Sequence, residues 1–230
     1  AKNLNSLLQS KNINWLREEL DSDARRNLVW ALENICRHEV AFKDAAKCLA
    51  RLAIAENEDV ANNATGQFVQ LFHLYLSGTK ANFKQRISLL QELRNDDSYL
   101  PLILKAIDNA FNTGPFYRSN TCGLDENDDD YIPNGQDIDF YWRDCSIILK
   151  AILEEKNDLL PKIKKLFAHH VGELARIGAK KFLFDVLDFI GEKCHYDWIE
   201  ARNVLSQYLA RWFDGTEELR MEYQAMLDKF

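Results

Sequence analysis

The sequence predicts an all-α chain, built as antiparallel helical hairpins stacked into an α-solenoid, with one long irregular loop near residues 113–137. Three observations carry this. First, 4 Pro and 9 Gly in 230 residues leave few breakers, which favours long helices over short strands joined by turns. Second, apolar residues recur three and four apart along most of the chain, the spacing of one helix face. Third, two distant stretches share the layout of a hairpin. With 47% hydrophobic residues the chain can bury a continuous core, and residues 1–230 read as a single helical-repeat domain.

The elements follow in order. Leu28, Ala31, Leu32, Ile35 and Cys36 share a face, with Ser22 or Asp23 placed to cap the helix. After a break at residues 37–39, a second helix over residues 41–55 presents Ala45, Cys48, Leu49, Leu52 and Ala53. Residues 56–63 are polar and read as a loop. A third helix carries Phe68, Leu71, Phe72, Tyr75 and Leu76 inward and ends at Gly78. A fourth, over residues 82–94, turns Phe83, Ile87, Leu90 and Leu93 inward. A turn at residues 95–98 leads to a fifth, opened by Pro101.

Residues 113–137 change character, with Gly114-Pro115, an acidic run and Pro133-Asn134-Gly135. This is longer than an ordinary connection. Phe116, Tyr117 and Tyr131 make it too aromatic for a solvated linker, so it is expected to pack partly on the helices and shape a surface. Helices then follow over residues 139–155, from Asn157 to Gly178, and over 182–190, 198–213 and 216–227. Residues 28–53 and 184–210 share an apolar helix, a polar break with a His, an aromatic opening a second helix, and a Leu-Ala pair near its end. The match is loose. It suggests hairpins of roughly 40 residues, as in tetratricopeptide or HEAT arrays, without a clean consensus of either.

Motifs for chemistry are scarce. The run from Asp125 to Asp130 invites a calcium reading, but an EF-hand loop needs Gly at its sixth and Glu at its twelfth position, where Asp130 and Gln136 stand. A solvated acidic loop fits better, and Asp128 and Asp129 could meet a basic partner. His169-His170 diverge on a helix and chelate one metal poorly. The five cysteines are scattered, with no CxxC pair, and read as small core residues in a reducing, cytoplasmic setting. No phosphate loop, GxGxxG or GxSxG occurs. The expectation is therefore no catalytic residue, no metal and no cofactor. A net charge of -7 argues against nucleic acid as main partner, because binding phosphates needs clustered cations. No signal peptide or apolar span long enough for a membrane is read. The five Trp fall mostly in phase with apolar faces, where core is the default; an exposed one could anchor a partner.

One stretch goes beyond generic helix. Leu49-Ala50-Arg51-Leu52-Ala53 leads through Glu56-Asn57-Glu58 into Asn62-Asn63-Ala64-Thr65-Gly66-Gln67-Phe68 and on to Leu71-Phe72. This resembles the helical-repeat region of bacterial STAND-type NTPases, the class of the antiviral Avs-like defence proteins. Asp139-Phe140-Tyr141-Trp142-Arg143 is also similar to that region, and the likeness spans roughly residues 28 to 155. The resemblance implies a sensor whose repeats bind a foreign protein, such as a phage terminase or portal, in a larger protein that oligomerises through an NTPase absent here. The chain is then expected to be a fragment. Asn62 and Asn63 read either as caps of the helix that follows or as partner contacts. Two other readings stay open: a helical scaffold in an unrelated multidomain protein, and an enzyme with scattered carboxylates and His.

Overall fold

The computed structural model describes residues 1–57, 63–114 and 130–230. All regular structure among them is helical, as the periodicity predicts. No helix among the described residues is long and apolar enough to cross a membrane. The chain clusters into two compact units, Ala1–Tyr141 and Trp142–Phe230.

The first unit opens with two short helices, α1 (Lys2–Ser10) and α2 (Ile13–Glu18), which lie before the first helix read from the sequence. Then come α3 (Ser22–Cys36) and α4 (Glu39–Ile54). The residue capping α3 is Asp21, whose carboxylate accepts from the Ala24 amide at 3.0 Å, rather than Ser22 or Asp23. The unit continues with α5 (Ala64–Gln70), α6 (Phe83–Leu93), a 3-10 turn (Asp97–Tyr99) and α7 (Leu100–Phe111). Asn82 and Gln85 form a reciprocal capping box at the start of α6, so its onset is locally encoded. Pro101 sits in the first turn of α7, where its missing N–H costs nothing.

At the centre lies α4. It packs against α1, α3, α5, α6 and α7. Its periodicity shows one apolar face, yet Phe42, Ala46 and Ala50 are buried along with Ala45, Cys48, Leu49 and Leu52. The alanines allow helices to approach from several sides. A helix buried round most of its circumference is the core of a bundle.

A long helix, α8 (Gly135–Glu155), starts four residues earlier than the apolar pattern suggests, and the boundary between the units falls inside it. Asn134 and Asp137 exchange side-chain-to-amide bonds at 3.0 and 3.1 Å and set that start. The second unit holds a 3-10 turn (Asn157–Leu159), α9 (Leu160–Arg176), α10 (Lys180–Lys193), α11 (Ile199–Arg211) and α12 (Glu217–Leu227). Gly178 ends α9 with φ +78°, as expected of a C-terminal cap. The two stretches of similar layout become α3–α4 and α10–α11, but their packing differs. Helix α3 packs along α4, whereas α10 and α11 each pack chiefly on α9. The core here is aromatic, with Phe167 between Phe182 and Trp198.

Candidate protein-docking tip

The sequence reading extends the third helix through Leu76. The structure ends α5 at Gln70 and sends residues 71–82 along an irregular path. This correction has a physical cause on α6. Arg86 lies on the apolar face beside Phe83 and Ile87, and it is fully buried. Its Nε donates to the Ala81 carbonyl at 2.9 Å, Nη1 to the His73 carbonyl at 2.8 Å, and Nη2 to Ser77 Oγ at 2.8 Å. The guanidinium also sits over the rings of Phe83 and Tyr131, at 5.1 and 5.7 Å. A buried cation needs such partners. The irregular backbone supplies carbonyls that a helix would have spent on itself, so the bend and the buried arginine satisfy each other.

Further bonds pin both ends of the segment. Asn109 Nδ2 donates to the Val69 carbonyl at 2.9 Å, and the Tyr141 hydroxyl donates to the Phe72 carbonyl at 3.0 Å. The Tyr141 ring stacks on Phe83 with centroids 3.9 Å apart. Downstream, the Gly78 amide donates to Asp130 Oδ2 at 3.1 Å, with φ +80° at the glycine. The Lys80 amide donates to the Arg37 carbonyl and the Tyr131 amide to the Thr79 carbonyl. Burial, and then Arg86, pushes His73 down to about 4, so its imidazole is neutral at pH 7. Burial also pulls the Arg86 guanidinium below its ordinary value, while Tyr141, Asp130 and Tyr131 oppose the shift.

On this base stands a tip of two large side chains. Tyr75 is 53% exposed and Leu76 is 50% exposed. Leu76 has φ +52°, a left-handed conformation unfavourable for a leucine. Ile132, next in the chain to the Tyr131 that bonds Thr79, is exposed as well. The sequence reading places Tyr75 and Leu76 inward because helical spacing was continued past the true end of α5. The signal it overlooked is Arg86, a charge inside an apolar stripe.

The residues the sequence proposes for a partner fare differently. Asn63 caps α5, its Oδ1 accepting from the Gly66 amide at 2.8 Å, the capping role among its two readings. Tyr131 is half-buried against Phe83, and burial together with Asp137 pushes its phenol up. It belongs to the base of the tip. Asn62, Phe116, Tyr117, Asp128 and Asp129 lie outside the described residues. Among the described cysteines, Cys36, Cys48 and Cys145 are buried and Cys194 is half-buried. Burial pushes the Cys48 thiol up to about 11 and those of Cys36 and Cys145 up as well. No group of three His, Cys, Asp or Glu suited to a metal ion occurs among the described residues. Of the tryptophans, Trp142 and Trp198 are buried, and Trp212 is the most exposed.

Comparison with models of protein families, with curated proteins and with solved structures finds no match to this chain.

Proposed function

We propose that this chain is a protein-recognition region, and specifically the sensor of a larger bacterial STAND-type NTPase that works in the cytoplasm. The observation that supports recognition is the Tyr75–Leu76 tip. Two large apolar side chains face solvent from a segment whose base is held by a buried guanidinium. Exposed aromatic and aliphatic side chains on a pre-ordered base lose little entropy on binding, which suits them as anchors. The likeness of residues 49–72 to the STAND repeats supplies the wider context, with a stacked-hairpin array and a phage terminase or portal as the class of ligand.

The test is a pull-down. Co-expression of the full-length protein with phage terminase and portal proteins is expected to recover a partner. A Tyr75→Asp, Leu76→Asp double variant is expected to lose that partner while keeping its helical circular dichroism. Failure across a broad phage panel would favour the scaffold reading. Robust nucleotide hydrolysis by the purified chain would sink both.

A further inference from the structure

The second unit carries a groove of about 280 Å³ between α9 and α11. Its floor depends on Gly172. A Cβ there would stand 3.2 Å from Val204 Cγ1, so only glycine lets α11 lie this close without some adjustment of Val204. The missing side chain also leaves a gap in the row of residues above the floor. That row is Lys162, Lys165, His169, Gly172 and Arg176, spaced three, four, three and four apart, which places it along one face of α9. Lys162, Lys165, His169 and Arg176 are all exposed.

The charge of this face opposes that of the chain. The protein is -7 overall, yet α9 holds Lys162, Lys164, Lys165 and Arg176 against the single carboxylate Glu173. Glu173 pairs with Arg176. Lys164 is spent on the Asp197 carbonyl. Lys162 and Lys165 remain on the open face. On the far wall stands Trp212, 60% exposed, with the Arg176 guanidinium 5.5 Å from its ring centroid. His169, Glu173 and Arg176 line the groove with Trp212, and Lys162 and Lys165 continue the same face of α9 beyond it, toward the N-terminus of the helix.

We propose that this groove, together with the exposed α9 face that continues from it, binds an acidic peptide segment of a partner protein, with an apolar side chain on Trp212 and carboxylates along Lys162 and Lys165. From Lys162 to Arg176 the row spans roughly 21 Å at the helical rise, the length of about six extended residues. A polyphosphate backbone suits it less well, because its continuous charge needs more clustered cations than this face holds. The proposal does not rest on the Tyr75–Leu76 tip, which belongs to the first unit.

The experiment uses the purified chain and a fluorescein-labelled peptide of alternating Glu and Leu, about seven residues long, read by anisotropy. Binding is expected, weakening as salt rises. Lys162→Glu with Lys165→Glu should weaken it at least about tenfold. Trp212→Ala should weaken it too, while Lys105→Glu on α7 and Leu76→Asp should leave it unchanged. Lys162, Lys165 and Trp212 are exposed, so circular dichroism should not move. The proposal is overturned if the peptide fails to bind, if the double charge reversal leaves its affinity unchanged, or if an oligo-dT strand binds more tightly than the peptide.

Discussion

Among the described residues, two turns place residues other than glycine in the left-handed region, and they do so on different terms. In the turn between α10 and α11, His195 and Tyr196 have φ of +52° and +58°. The Tyr196 ring lies directly on Gly191, where a Cβ would come within 2.6 Å of two ring carbons. Its hydroxyl donates to Asp188 Oδ1 at 3.2 Å, and Phe230 packs edge-on against the ring at 5.4 Å. These contacts compensate the conformational cost at Tyr196, while His195 beside it is exposed. Leu76 bears a similar cost with half its surface in water. Backbone strain persists where surrounding structure over-determines it, and it clusters at functional sites. The difference separates Tyr196, whose conformation packing explains, from Leu76, whose conformation the recognition reading explains.

The largest expected effect breaks the base of the tip. Arg86→Met removes three donors from the irregular segment and should cost about 3–5 kcal/mol, read from urea unfolding. Arg86→Lys should recover only part of this, because an ammonium lacks the planar fork. A loss no greater than that of an exposed arginine would mean the segment holds its shape without the guanidinium.

Next in size is a pH effect at His73. In the unfolded chain this imidazole takes up a proton near 6.5, and in the folded chain only near 4. The unfolded state therefore binds more protons between these values. The stability linked to His73 is complete above about pH 6.5 and is lost as pH falls toward 4, by up to about 3 kcal/mol. Because other groups titrate in acid, the readout is the difference in urea midpoint between wild type and His73→Gln across pH 7.5 to 4.5. Parallel curves would show that His73 titrates normally in the fold.

The α10–α11 turn is tested by Gly191→Ala, which puts a methyl into the Tyr196 ring and should destabilise by roughly 1–3 kcal/mol. The smallest effect sharpens the comparison most. Leu76→Gly should be neutral or stabilise by about 1 kcal/mol, since it relieves the left-handed leucine and removes little buried surface. Tyr196→Gly should destabilise, because the ring it deletes is packed. If both substitutions destabilise alike in thermal melts, Leu76 is held by contacts of its own and the argument for the tip weakens.

Much of the helix map was legible. Caps and breakers are local, so Asn82 with Gln85, Pro101, Gly178 and Thr216 mark ends close to those observed. The largest error has one cause. Phe72, Tyr75 and Leu76 continue a helical spacing that carries no information on where a distant arginine will be buried. Of the residues proposed for binding, Asn63 was legible as a cap because its partner, Gly66, lies three residues on. The tip was not legible, since its exposure depends on Arg86, Asp130 and Tyr141, set by bonds across ten or more positions.

By itself the sequence determined the all-helical class, most helix ends and Cys36, Cys48 and Cys145 as core residues, because these follow from spacing and from side chains acting on neighbouring backbone. Only the tertiary structure decided that α4 is surrounded, that α10 and α11 lean on α9, and that residues 71–82 leave the helix. Those outcomes turn on which faces meet and where a buried charge finds its acceptors, and periodicity records a face without its partner.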